Sequence, residues 1–248
     1  MIHKVKYRVK KLSDAIALLS IELVVVFITF IVSLGVLIVV ITQIFYHDNF
    51  TLDQTVFNYL SGRVTDSNTS AMLFISFLGS HLFLIPAWLV VLVFYYFIKK
   101  NKWHFIKLLT IALSNLLLMF GLKFFFNRPR PLIPLLKEAP GLSFPSGHAF
   151  MSFIFFGLMI YLVYRHVKHK WLKWITVFTL ALIIFMIGLS RVYLRVHYAS
   201  DVIAGFCFGL MSLLILLWLL RQIEKYNAKK IPVQLNITGG DDDIAAVN

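Results

Sequence analysis

Residues 21–45 read IELVVVFITFIVSLGVLIVVITQIF, a run of 25 residues in which Glu22 is the only charged side chain. An α-helix rises about 1.5 Å per residue, so about 20 apolar residues cross the roughly 30 Å of hydrocarbon in a bilayer. The run is longer than the apolar region of a signal peptide, and no small-residue cleavage site follows it. It predicts a retained membrane-spanning helix.

Five more apolar runs of similar length follow along the chain. Backbone N–H and C=O groups in hydrocarbon must pair within their own segment, so each run is expected to be a helix. Composition agrees, since 60% of the 248 residues are hydrophobic and only 14% are charged. The sequence therefore predicts an all-α integral membrane bundle of six helices. The five later runs are 72–98, 105–126, 149–164 (which can begin at Ser146), 171–189 and 202–220.

Basic residues cluster in four segments that share one side of a six-helix bundle: 4–11, 99–107, 165–173 and 221–230. The positive-inside rule makes that side the cytoplasm and puts both termini there. The net charge of +13 is spread between apolar runs, so it indicates topology and anionic lipid rather than nucleic acid.

Three segments are predicted from these features. They are a basic cytoplasmic segment (1–15), a membrane domain (16–221) and a disordered cytoplasmic tail (222–248). In the first outer loop, Leu52, Val56, Tyr59 and Leu60 have helical spacing, which predicts a short helix on the membrane surface.

Two outer loops, 123–148 and 190–201, break the charge rule. Cations on the disfavoured side require a separate explanation, and phosphate binding supplies one. The cations in these loops are Lys123, Arg128, Arg130, Lys137, Arg191 and Arg195.

A phosphate group needs several positive donors around its oxygens, and Lys123, Arg130 and Arg191 are such a set from three helix ends. Pro145-Ser146-Gly147 precedes the fourth run, so free N–H groups of that helix's first turn form an anion site. Gly147 lets the phosphate approach the backbone closely.

Phosphoryl transfer also needs a nucleophile and an acid for the leaving group. His197 and Asp201 are four residues apart, which on a helix places both on one face. Asp201 can then hold one imidazole nitrogen and leave the other free to attack phosphorus. His148 is available to protonate the leaving oxygen.

These pieces resemble the three motifs of the type 2 phosphatidic acid phosphatase (PAP2) superfamily. The matching stretches are Lys123 with Arg130-Pro131, Pro145-Ser146-Gly147-His148, and Ser190-Arg191 with His197 and Asp201. The resemblance implies a six-helix bundle with a PAP2/haloperoxidase-like core and a metal-independent phosphatase that works through a phosphohistidine. It makes His197 the nucleophile, Asp201 its partner and His148 the acid. It assigns phosphate binding to Lys123, Arg130, Ser146, Gly147 and Arg191.

Three further residues are candidates for a supporting role: Arg128, Ser190 and His81. Arg128 either supports the loop or touches lipid headgroups, and a structural role is favoured for His81. Two histidines and Asp201 could instead hold a metal ion, but the surrounding cations would repel it. Neither a metal nor another cofactor is expected.

The expected substrate is a lipid phosphate: a polyprenyl diphosphate, phosphatidylglycerol phosphate or phosphatidate. The expected site faces the exterior of a bacterial inner membrane. The alternatives are a lipid A-type phosphatase or a phosphotransferase, a vanadate haloperoxidase (disfavoured because those are soluble), and a non-catalytic lipid transporter or scaffold. The motifs encode neither the lipid tail nor the oligomeric state.

Overall fold

The computed structural model describes residues 2–131, 135 and 141–238, with side chains for 23–131, 135 and 141–223. Lys137 of the sequence prediction lies outside these residues. A π-helical turn, Phe94–Ile98, continues directly from α4. The α-helices of the described residues are α1 (Ile2–Phe45), α2 (Thr51–Ser61), α3 (Asp66–Leu78), α4 (His81–Val93), α5 (Lys102–Phe126), α6 (Gly147–His166), α7 (Lys170–Tyr193) and α8 (Ala199–Thr238).

Six segments are long and apolar enough to cross a membrane, which confirms the predicted bundle. The second predicted run is interrupted, because α3 ends at Leu78 with Gly79 as its C-cap and α4 begins at His81 with Ser80 as its N-cap. The six segments are Leu23–Phe45, Asp66–Ile98, Lys102–Phe126, Gly147–His166, Lys170–Tyr193 and Ala199–Ile223.

Helix α6 packs against both α7 and α8, and α8 also packs against α1. Small residues allow α6 and α8 to approach closely, as is common between membrane helices. A Cβ atom at Gly205 would lie 2.9 Å from the carbonyl oxygen of Ser146, and one at Gly209 would lie 3.1 Å from Cβ of Phe153. The start of α8 therefore lies directly against the start of α6.

Helix α2 is the short outer helix predicted from its apolar spacing. It packs on α7 and α8, and it buries Asp53 and Leu60 while Leu52 and Tyr59 remain exposed. The helix thus contributes one carboxylate to the interior of the outer end of the bundle.

Large apolar side chains cover the outside of the spans, as expected where lipid is the solvent. At the outer end of α5, Phe124 and Phe125 are 87% and 79% exposed. They directly follow Lys123, whose side chain is partly buried and whose Nζ donates to a backbone carbonyl within the protein.

The C-terminal segment differs from the prediction of a disordered tail. Helix α8 continues past residue 221 to Thr238. About half of residues 222–238 are good helix formers (Gln, Glu, Lys, Ala and Leu), although Pro232 lies among them. Residues 239–248 lie outside the described residues, so disorder remains a prediction there.

Candidate active site

The predicted site residues come together at one end of the bundle, where four helix ends meet. Lys123 lies in the last turn of α5 and Arg191 in the last turn of α7. Ser146 is the N-cap of α6, and Asp201 lies in the first turn of α8. Asn127 ends α5 in the left-handed conformation (φ 45°), which asparagine tolerates, and turns the chain toward the site.

His197 is not on a helix, which corrects the expectation that it shares a helix face with Asp201. It lies in the turn between α7 and α8, and α8 begins only at Ala199. The carboxylate of Asp201 reaches back to accept the backbone N–H of Tyr198 at 2.9 Å, in the manner of a capping box. This N-terminal geometry, rather than helical periodicity, brings Asp201 Oδ2 to 3.6 Å from His197 Nδ1.

The imidazole of His197 is almost fully buried, with 1% of the residue exposed. Burial lowers the pKa of His197 from 6.5 to about 4, although the nearby Asp201 carboxylate opposes the shift. This histidine is therefore neutral at neutral pH, which is the form that can act as a nucleophile. Because Nδ1 faces Asp201, Nε2 points away from the carboxylate.

Asp201 is held by more partners than His197 alone. It accepts hydrogen bonds from Arg128 Nη1 at 2.6 Å and from the hydroxyl of Ser143. Arg128 also forms an ion pair with Asp53 at 2.9 Å, so it lies between two buried carboxylates. This contact decides between the two roles considered for Arg128: it supports the loop from inside the protein rather than touching lipid headgroups.

The three cations predicted to bind phosphate have partial internal partners. Lys123 Nζ donates to the carbonyl of Leu142 at 2.6 Å, and Arg130 Nε donates to the carbonyl of Gly141 at 3.2 Å. Arg191 Nη1 donates to the hydroxyl of Ser76 on α3. Burial lowers the pKa of Arg130, and the group remains a cation at physiological pH.

Several polar atoms of the site are buried without a hydrogen-bond partner among the described residues. A buried donor left unpaired costs about 1–3 kcal/mol, so such atoms usually have a ligand or water as partner. Three of these atoms, Arg130 Nη1, Ser146 Oγ and Arg191 Nε, could donate hydrogen bonds to an anion. The fourth, His197 Nδ1, instead faces Asp201 Oδ2 at 3.6 Å.

The first turn of α6 is tied to α8 through the backbone. The N–H of Ser146 donates to the carbonyl of Asp201 at 3.0 Å. A Cβ at Gly147 would fit in ordinary contact with two flexible side-chain ends, Met119 Cε at 3.4 Å and Lys123 Cε at 3.8 Å. His148, the next residue, lies within electrostatic range of His197 and Arg191.

Ser190 and His81, the other two supporting candidates, have no described hydrogen bond to the cations predicted to bind phosphate. The hydroxyl of Ser190 donates to the carbonyl of Ile187 within α7, a common arrangement for serine in a helix. His81 begins α4 with an exposed side chain and lies within electrostatic range of His148.

Sequence reasoning missed three residues that hold the site together: Asp53, Ser76 and Ser143. The only hint of Asp53 in the sequence is that it is a charged residue within the amphipathic segment that forms α2. Ser76 sits within an apolar run and gives no signal, whereas Ser143 is adjacent to the second motif.

Comparisons with known proteins show which proteins this chain is similar to. A model of the PAP2 superfamily matches residues 103–225. Phosphatidylglycerophosphatase B of Bacillus subtilis (strain 168) is 31% identical over 160 residues, covering 62% of this chain and 76% of that protein. The bacitracin transport permease protein BcrC of Bacillus licheniformis is 38% identical over 76 residues, which cover 31% of this chain and 32% of that protein.

Solved structures share the fold. The crystal structure of a transmembrane PAP2 type phosphatidylglycerolphosphate phosphatase from Bacillus subtilis superposes with a TM-score of 0.68 at 23% identity, covering 80% of this chain and 96% of that chain. The crystal structure of Aquifex aeolicus LpxE gives a TM-score of 0.51 at 29% identity, covering 68% of this chain and 96% of that one. The chain therefore belongs to the PAP2 superfamily and is one of its integral membrane lipid phosphatases.

Proposed function

We propose that the protein hydrolyses the phosphomonoester or diphosphate of a membrane lipid through a phosphohistidine on His197. The observation that carries the proposal is the pairing of His197 with Asp201 at 3.6 Å beside unpartnered donors of Arg130, Ser146 and Arg191. Phosphatidylglycerol phosphate is the first substrate to test, because the relative matched over 76% of its length is a phosphatidylglycerophosphatase. Polyprenyl diphosphate and phosphatidate have the same reacting group and remain candidates.

In the first step, the cationic side chains and the start of α6 hold the phosphate oxygens. Nε2 of His197 attacks phosphorus, and the bond from phosphorus to the leaving oxygen breaks as the P–N bond forms. His148 donates its proton to that oxygen, which leaves as the lipid alcohol, or as the lipid monophosphate when the substrate is a diphosphate. Asp201 stabilises the charge that develops on the imidazole of His197.

In the second step, His148 accepts a proton from water and the resulting oxygen attacks phosphorus. The P–N bond breaks, inorganic phosphate leaves, and His197 returns to its neutral form. The chemistry needs only positioning and charge stabilisation, which Lys123, Arg130 and Arg191 supply. No step requires a metal ion.

We place the reaction on the extracytoplasmic face of a bacterial inner membrane. Support comes from the basic residues at the helix ends opposite the site, such as Lys107 at the start of α5 and Arg165 at the end of α6. The lipid phosphate would then bind at headgroup level while its tails stay in the bilayer.

The test is phosphate release by the purified protein from undecaprenyl diphosphate, phosphatidylglycerol phosphate, phosphatidate and a glucose phosphate, with EDTA present. His197→Ala is the test variant, and His47→Ala, an exposed outer histidine, is the matched control. We expect release that survives EDTA, disappears in His197→Ala and is unchanged in His47→Ala. Equal release by wild type and His197→Ala, or none from any lipid, would contradict the proposal and favour a non-catalytic transporter or scaffold.

The intermediate itself has a direct test. Reactions with labelled lipid phosphate, quenched with alkaline detergent, should leave label on the wild-type protein, and this label should be stable in base and lost in acid, as expected for phosphohistidine. Label that is retained by His197→Ala would place the covalent bond on another residue.

A further inference from the structure

Asp53 is a buried acid on a helix that is otherwise largely exposed. Only 2% of the residue is accessible, and both of its carboxylate oxygens are occupied. Oδ1 accepts the backbone N–H of Ser200 at 2.9 Å, and Oδ2 accepts the Ser200 hydroxyl at 2.7 Å. Asp53 therefore binds the first turn of α8 from outside that helix, one residue before Asp201.

Arg128 connects this acid to the site. Its Nη2 donates to Asp53 at 2.9 Å, while Nη1 donates to Asp201 at 2.6 Å and to the Ser200 hydroxyl at 2.9 Å. The guanidinium also lies 4.0 Å from the centre of the Tyr198 ring. Only 5% of Arg128 is exposed, and these contacts hold its guanidinium group between the two carboxylates.

The charges in this cluster explain why two acids are needed. One guanidinium between Asp53 and Asp201 leaves a net charge of −1, whereas a pair of Arg128 and Asp201 alone would be neutral. The charged groups that act on His197 are Asp201, Arg191 and Arg130. Because both arginines oppose a positive imidazole, Asp201 must keep its negative charge to stabilise the one that forms during attack.

We propose that Asp53 is a positioning residue of the active site, which acts through Arg128 and Ser200 to orient Asp201 and preserve its charge. Helix α2 is then part of the catalytic unit and not only a surface helix of the loop. The inference rests on the proposed nucleophilic role of His197. It predicts an effect on the chemical step and not on phosphate binding, because no described contact joins Asp53 to Lys123, Arg130 or Arg191.

The experiment compares Asp53→Asn with wild type by kcat, KM and the inhibition constant of inorganic phosphate. Asp48→Asn is the matched control: it lies on the same outer segment, is exposed, and its left-handed backbone (φ 48°) suits asparagine. We expect kcat of Asp53→Asn to fall about 10- to 100-fold, with KM and phosphate inhibition within about twofold, since a misplaced group can cost about 100-fold in rate. Asp48→Asn should match wild type.

Two further variants separate positioning from general stability. Arg128→Lys keeps the positive charge but cannot donate to Asp53 and Asp201 at the same time through a guanidinium, so it should lower kcat and leave KM unchanged. If Asp53→Asn does not fold, Arg128→Lys replaces it as the test variant. In the double variant Asp53→Asn with Arg128→Lys, the combined loss should be smaller than the product of the two single losses, because both residues act through Asp201.

The outcomes distinguish this inference from the proposed function. An active wild type, an inactive His197→Ala and an Asp53→Asn variant with unchanged kcat would overturn the role of Asp53 and leave the phosphatase intact. A loss of kcat that is matched by an equal loss of phosphate affinity would also overturn it, since a general distortion of the site predicts that pattern. An inactive wild type would instead reject the proposed function.

Discussion

Replacing Gly205 with alanine tests whether the contact between α6 and α8 sets the geometry of the site. The new Cβ would lie 2.9 Å from the carbonyl oxygen of Ser146 and 3.2 Å from the backbone nitrogen of Phe150. Both neighbours are backbone atoms at the start of α6, so no side chain can rotate away. Ordinary contact begins at 3.4 Å, and the two helices must therefore separate locally by about 0.5 Å, the difference between 3.4 and 2.9 Å.

The magnitude follows from this displacement. Overpacking of this kind costs about 1–3 kcal/mol, partly offset by about 1 kcal/mol from the better helix propensity of alanine. The effect on activity should be larger, because Ser146 and His148 would move relative to His197 and Asp201. We expect kcat to fall about 10- to 100-fold, with a small decrease in melting temperature.

The assay is phosphate release from detergent-solubilised protein, with melting followed in parallel. Gly121→Ala is the control, because that glycine lies in a span and a Cβ added there would have nothing within 4 Å. Gly209→Ala, whose nearest neighbour would be 3.1 Å away and one turn further from the site, should have an intermediate effect. If Gly205→Ala kept the kcat and melting temperature of Gly121→Ala, the close approach of the helices would not control the site.

Three other predictions concern the site residues. In the folded protein the pKa of His197 is about 4, below the unfolded value of 6.5. The stability linked to this histidine is therefore fully present above pH 6.5 and is lost as the pH falls toward 4. The free energy of unfolding should decrease by about 3 kcal/mol over that range. Melting of wild type should therefore decline more steeply than that of His197→Gln between pH 6.5 and 4, and parallel curves would contradict the shift. Gly147→Ala should fold normally, since its Cβ meets nothing closer than 3.4 Å, yet raise KM about tenfold by occupying space beside Lys123; an unchanged KM would place the phosphate elsewhere. Ser76→Ala should raise KM several-fold, because Arg191 loses the hydroxyl that holds its Nη1, and a change confined to kcat would argue against that role.

Much of the fold could be predicted because the membrane leaves few choices. Apolar runs of sufficient length must be helices, and the six predicted runs correspond to six candidate spans in the structure. The cations in the loops predicted to be outside were informative for a similar reason: charge on the side that the positive-inside rule disfavours requires a separate explanation. The motif residues, from Lys123 to Asp201, could therefore be proposed as a site from the sequence alone, and the structure brings them together at one end of the bundle.

What the sequence could not provide depends on contacts between distant residues. Asp53 lies 147 residues before its partner Ser200 and 75 before Arg128, and nothing in its own segment indicates that it is buried. The prediction that His197 lies on a helix was wrong because His197 comes two residues before Ala199, where α8 begins. An i,i+4 spacing can also arise from a capping turn, in which the acid reaches back to the residue before the helix.

The exposed Phe124 and Phe125 bear on how substrate concentration should be measured. These exposed apolar side chains lie immediately beside Lys123, so an apolar surface and a side chain proposed to bind phosphate adjoin along one helix turn of α5. A lipid could then enter sideways from the bilayer without passing through water. The rate of turnover should consequently depend on the mole fraction of substrate within the membrane or micelle. Adding inert detergent should therefore slow the enzyme even when the total substrate concentration is constant.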